Sequence, residues 1–250
     1  PVFLMDRLVG FEGQFIVAGL GDTLMINGTL DPYLEVPAQM VRFRVVNASA
    51  ERGYYFGLSG GRSFQLIGTD GGLLERPLTK DRPRLTEAQA TRTRTVRMTG
   101  APPSPFLLDD QEFDHGVINH TVDLNAVEIW EIVNETSYAH PFHIHDVQFF
   151  ILDIDGEPPP AELAGRKDTI IVRRNSTVRF IAIFDDHANS HVPYMYHCHV
   201  LTHEDDGMMG QFIVQGDTRA PLQFSGPARV VNLSTRAQVG GEAGSPVAGF

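Results

Sequence analysis

At 250 residues, with 42% hydrophobic and 20% charged side chains, the chain has the make-up of one large or two ordinary globular domains. Its formal net charge of −11 argues against nucleic acid or an anionic membrane surface as a partner, and is compatible with cationic or neutral small substrates. The single cysteine, Cys198, excludes an intrachain disulfide framework, and no apolar run reaches the roughly 18 residues that would suggest a membrane span. The chain opens on Pro1-Val2-Phe3, with neither an initiator Met nor a basic segment, so its first residue reads as a cut end. Sequons such as Asn134-Glu135-Thr136 would matter only in a eukaryotic secretory pathway.

Residues 13–47 read as short strands broken by turns: 14–18, 23–27, and 41–47 with its alternation of apolar and basic residues. Gly28, Asp31-Pro32 and Pro37 mark the turns. Residues 64–69 add a strand ending in the turn Asp70-Gly71-Gly72, and the pattern is all-β. Between Leu78 and Thr91 the sequence becomes polar and Arg-rich, as in a loop. A sheet layer ending there would leave unpaired edges and an uncovered core face, so residues are expected to be missing near 78–90.

Residues 91–98 restart a strand with alternating Thr and Arg. Strands follow at 126–134, which holds Trp130, and at 147–154, 169–172, 177–184 and 211–214, with 156–160 as a loop. The expected organisation is a partial domain over 1–90, a complete one over 91–219, and a linker or the start of another β element over 220–250, where Gly, Ser and Ala accumulate.

Two stretches carry the chemistry: His140-Pro141-Phe142-His143-Ile144-His145, and Tyr196-His197-Cys198-His199 continuing through His203-Glu204 to Met208. On a strand, successive side chains alternate between faces, so His197 and His199 share one face and Cys198 takes the other. A segment folding back after the strand can return His203 and Met208 to the Cys198 side. His143 and His145 likewise share a face, and His140 differs from them in parity. Parity thus sorts His140, Cys198, His203 and Met208 from His143, His145, His197 and His199. A thiolate, two imidazoles and a thioether are the donors of a mononuclear blue-copper centre, with Met as the weak axial ligand. Zinc is the competing ion, but structural zinc sites generally draw on several cysteines and this chain has one.

At these residues the sequence resembles the multicopper oxidases, the family of laccases, bilirubin oxidases and cuprous oxidases, with every ligand position of its two C-terminal motifs matched. Residues 26–28, 41–49 and 68–72 resemble the family's middle, copper-free domain, and are expected to do no chemistry. The resemblance implies cupredoxin-like Greek-key β-sandwich domains, which the count of short strands fits. It further implies a type 1 copper at His140, Cys198, His203 and Met208, a type 2 ligand in His143, and type 3 ligands in His145, His197 and His199. A complete enzyme would hold four coppers, take single electrons from a phenol, an aromatic amine or a metal ion, and reduce dioxygen to water. Glu204 would relay protons as a catalytic acid. The remaining four cluster histidines would come from an N-terminal cupredoxin domain in the same or another chain, because no His-x-His pair precedes His140. A periplasmic or secreted location follows from the same resemblance.

A second reading is a type 1 copper electron carrier without oxidase activity, although such a carrier has no use for the far-face histidines. His115, His120, His187 and His191 lie outside the motifs and read as exposed loop residues, with an adventitious metal site conceivable where His187 and His191 sit beside Asp185 and Asp186.

Overall fold

The structure, a computed structural model, describes residues 1–9, 15–16, 20–73 and 84–216. The tail expected over 220–250, the ends of the 14–18 strand and the suspected gap at 78–83 lie outside the described residues.

The fold is all-β. The N-terminal part begins with β1 (Val2–Val9), β2 (Phe15–Ile16), β3 (Thr23–Ile26) and β4 (Val45–Asn47). β1 pairs antiparallel with β2 and β3 and parallel with β4. The hairpin of β5 (Gly68–Thr69) and β6 (Gly72–Leu73) follows. Two expected strands are shorter here: of 41–47 only β4 is paired, against residues 2–4, and of 64–69 only β5. Alternation gives a segment the potential to be a strand, but a strand forms only where a neighbour accepts its hydrogen bonds. Large apolar side chains, Tyr33, Leu34, Met40 and Tyr55 among them, are exposed along this stretch.

The C-terminal part is a two-sheet sandwich. Its strands are β7 (Arg92–Thr99), β8 (Leu107–Leu108), β9 (His120–Asp123), β10 (Ala126–Asn134), β11 (His140–Ile144) and β12 (Phe149–Ile154). They continue with β13 (Arg166–Lys167), β14 (Thr169–Val172), β15 (Ser176–Phe184), β16 (Asn189–Cys198), the short helix α1 (Leu201–Asp205) and β17 (Met209–Gln215). One sheet runs β13-β12-β15-β10-β7-β8 and the other β14-β11-β16-β17-β9. The parallel pairs β7/β10 and β9/β17 among antiparallel neighbours are the signature of Greek-key crossovers.

Alternation along the strands sends one apolar face of each sheet inward. Trp130, Phe149 and Phe180 from the first sheet meet Phe142, Tyr196 and Phe212 from the second, all buried. Each such side chain contributes about 1.5–3 kcal/mol of transfer free energy. Cys198 and Met208 belong to this core, so two of the candidate donors are anchored in the packed interior. Residues 84–90, expected as loop, are instead a cover. Leu85 and Ala90 pack on Val127, Ile129 and Ile181 on the outer face, and Glu87 pairs with Arg179 at 2.8 Å. No helix among the described residues is long and apolar enough to cross a membrane.

Candidate metal centre

β11 and β16 pair antiparallel with Phe142 opposite Cys198 and His143 opposite His197. That register puts His140 and Cys198 toward the core, where both are fully buried, and His143 and His197 on the other face together. His203 arrives on α1 rather than on an open loop. The backbone closes around it: Cys198 N–H donates to the Met208 carbonyl at 3.0 Å, and Met208 N–H to the His203 carbonyl at 2.9 Å.

On the core side, His140 Nδ1 and His203 Nδ1 are 3.2 Å apart, and Cys198 Sγ is 3.6 Å from each. A triangle with those sides encloses a point about 2.0 Å from every corner, close to the roughly 2.0–2.3 Å that N and S donors adopt around an ion such as zinc. Met208 is buried in the same core cluster as Cys198.

The tautomer of His140 is set by residues that the sequence reading passed over. Asn134 donates its side-chain N–H groups to the carbonyls of Tyr138, Val172 and Arg173, which leaves its Oδ1 as acceptor. Thr136 Oγ1 lies 2.8 Å from that Oδ1 and 3.1 Å from the Tyr138 carbonyl, both acceptors, so its one proton is donated there. The Thr136 oxygen, 2.9 Å from His140 Nε2, must therefore accept the Nε2 proton, and His140 Nδ1 is left with a bare lone pair facing Cys198. This is how an outer partner fixes a ligand imidazole. The available signal was Asn134-Glu135-Thr136, which reads as a sequon but is a buried turn, Asn134 being 1% exposed.

On the opposite side, His143, His145 and His197 offer ligand atoms within 4.8 Å of one another. His145 Nε2 is 3.3 Å from His197 Nε2. His143 Nδ1 is held by the Asp168 carbonyl at 2.9 Å and Thr169 Oγ1 at 3.0 Å. His197 Nδ1 faces the Cys198 carbonyl at 3.1 Å and Glu204 Oε2 at 3.2 Å. His199 stands at the edge of this group, its ring 5.5 Å from that of His143 and 5.6 Å from that of His197, outside the tight triad. Glu204 is half-buried, not merely one of three solvated acids.

Burial lowers the basicity of His140, to about 4, and also that of His143, His145, His197 and His203, so these imidazoles are neutral near pH 7 with lone pairs available. Burial pushes the Cys198 thiol up to about 12. The core-side set of one thiol, one bare Nδ1 fixed by its tautomer and a second imidazole, with a thioether in the same core cluster, fits a soft, thiolate-seeking ion such as copper.

Of the other histidines, His120 departs from expectation. It lies on β9, its ring stacked 5.5 Å from that of Tyr196, and burial presses its basicity down to about 4. The parallel pairing with β17 places it opposite Phe212, where an exposed loop was expected. His191 is exposed, and His187 sits with Asp146 and Asp186.

The multicopper oxidase family profile matches residues 76–218, more than half of the sequence, and the chain belongs to that family. It is 28% identical over 239 residues to the multicopper oxidase mco of Staphylococcus haemolyticus, covering 78% of this chain and 52% of that protein. It is 28% identical over 315 residues to the laccase of Bacillus subtilis, covering 84% of this chain and 61% of the relative. The fold superposes with a TM-score of 0.75 on the laccase-like multi-copper oxidase CueO of Ochrobactrum sp., at 25% identity over 86% of this chain and 66% of the other. The chain thus spans about half the length of the first of these curated relatives.

Proposed function

We propose that the chain is the electron-entry part of a copper-dependent oxidase that takes single electrons from a donor and reduces dioxygen to water. The observation that supports this best is the pair of donor groups back to back on β16, joined through the adjacent residues Cys198 and His197. In this reading His140, Cys198, His203 and Met208 would hold a type 1 copper. His143 would hold the type 2 copper, and His145, His197 and His199 the binuclear type 3 pair, with four further histidines from an N-terminal cupredoxin domain. Copper, when bound, would supply one-electron redox chemistry at the first group and dioxygen reduction at the second.

The chain's own residues supply placement and protons. Thr136 and Asn134 hold His140 in one tautomer, and the Asp168 carbonyl with Thr169 does the same for His143. Reducing dioxygen to water consumes four protons along with four electrons, and Glu204, 3.2 Å from His197 Nδ1, is placed to hold one near the cluster. The donor would be a phenol, an aromatic amine or a metal ion, and the setting periplasmic or secreted, as the family resemblance implies.

The test is copper per polypeptide in the purified protein, together with dioxygen uptake on a phenolic donor. About four coppers with uptake supports the oxidase. About one copper, with a visible thiolate-to-copper band and no uptake, would replace it with an electron carrier.

A further inference from the structure

We propose that Asp146, Asp186 and His187 form a separate site for a divalent cation of the zinc class, which ties the turn after β11 to the connection between β15 and β16. The three residues offer ligand atoms within 4.8 Å of one another and share no member with either histidine group. His187 Nδ1 is 3.2 Å from Asp186 Oδ1 and 3.8 Å from Asp146 Oδ1.

Acidic clusters are common on surfaces, and what sets this one apart is Asp146. Its side chain is only 3% exposed, yet its Oδ2 is buried with no hydrogen-bond partner. Tyr194 reaches this carboxylate but donates its hydroxyl to the His187 carbonyl. Among the described residues, no lysine or arginine pairs with Asp146 or Asp186, and His187 is the partner of both. A buried, unpaired carboxylate oxygen beside a second carboxylate is costly unless a positive charge completes it.

The donor chemistry narrows the ion. Two carboxylates and one imidazole, without sulfur, suit a borderline divalent ion better than a soft one, and the nitrogen donor argues against calcium or magnesium. Asp186 and His187 are accessible, 46% and 73% exposed, so an ion can enter from solvent and water can fill its remaining positions. The site would fasten the ends of the two segments that carry the histidine motifs, since Asp146 follows His145 and the 185–188 segment leads into β16.

The experiment is equilibrium dialysis of the copper-loaded protein against zinc, comparing the parent with Asp186→Asn/His187→Gln. Both substitutions are on exposed side chains outside the proposed copper ligands. The expected result is about one fewer zinc bound per chain in the double variant, or at least a tenfold weaker dissociation constant, with loss of the zinc-dependent rise in Tm. His187→Gln alone should lose the same zinc if the double variant folds poorly. Equal zinc content and equal Tm shifts in parent and variants would overturn the proposal.

Discussion

Asp70 and His143, on opposite sides of the stretch where the two parts of the chain join, are linked through one short segment. Asp70 Oδ2 accepts the amide protons of Asp168 and Thr169 at 3.1 and 3.3 Å, and the carbonyl of Asp168 and hydroxyl of Thr169 hold His143 Nδ1. Lys167 completes the arrangement by pairing with Asp70 Oδ1. Gly71 is required beside it, because any Cβ there would collide with the backbone of Arg166. The Asp-Gly-Gly turn therefore supports a histidine motif from a segment expected to be inert. Asp70→Asn leaves the Lys167 ammonium without its counter-charge and should destabilise the fold by about 2–3 kcal/mol, read as a lower midpoint in urea. It should also loosen copper at the His143 group while sparing the visible band of the Cys198 group. Parallel loss at both groups would mean general unfolding instead.

The same carboxylate predicts a pH dependence. Burial alone would raise the Asp70 pKa, but the Lys167 ammonium and the amide donors outweigh it and hold the group below its ordinary 3.8. A carboxyl depressed in the folded state contributes stability above its unfolded value and loses it as pH falls through the folded one. The stability gap between parent and Asp70→Asn should be constant above about pH 5 and close in acid below 3.8. A gap that persists unchanged to the acid limit would show that the carboxylate charge is not its source.

Thr136→Val keeps the shape of the side chain and removes the hydroxyl that takes the His140 Nε2 proton. A buried imidazole N–H is then unpaired, at a cost of about 1–3 kcal/mol, and His140 is free to change tautomer. Copper affinity at the Cys198 group should fall by about 10- to 100-fold, the usual effect of losing such a partner. Thr136→Ser should restore most of it, and a copper titration of the three proteins checks the order.

Parity anticipated the separation of His140 and Cys198 from His143 and His197, because a strand repeats every two residues and the β11/β16 register keeps that alternation. It could not foresee α1, since the four residues between Cys198 and His203 give no periodicity to read. Nor could it find Asp70, whose role depends on a hydrogen bond 98 residues away in sequence to Asp168. His120 was misjudged for a related reason: a lone histidine carries no mark of the parallel β9/β17 pairing that buries it. The Asn134-Glu135-Thr136 turn was legible in composition but not in meaning, because a sequon and a buried polar turn look alike until burial is known.

Burial keeps the Cys198 thiol protonated at neutral pH, pushing its pKa up to about 12. Copper takes the thiolate, so loading must expel that proton. In weakly buffered solution near pH 7, copper uptake should acidify the medium by about one proton per chain more in the parent than in Cys198→Ser, and the variant should lack the visible band. Equal proton release in the two proteins would mean that Cys198 is not a ligand.

Glu204 Oε2 stands 3.2 Å from His197 Nδ1, while the helix that carries Glu204 also carries His203. One residue thus touches the far-face group from the element that completes the core-side group, and a proton held there can serve the second without disturbing the first. Glu204→Gln preserves the size and much of the hydrogen bonding but cannot shuttle a proton. In the fully copper-loaded enzyme, turnover with dioxygen should fall by about 100-fold or more, the usual weight of a general acid. Bleaching of the visible band by donor under anaerobic conditions should continue at the parental rate, because in the proposed reading electrons enter at the Cys198 group without a proton from Glu204. If bleaching slows as much as turnover does, Glu204 acts by holding α1 and His203 in place, and the proton role is lost. Glu204→Asp separates the two effects further, since it keeps an ionisable group while shortening its reach.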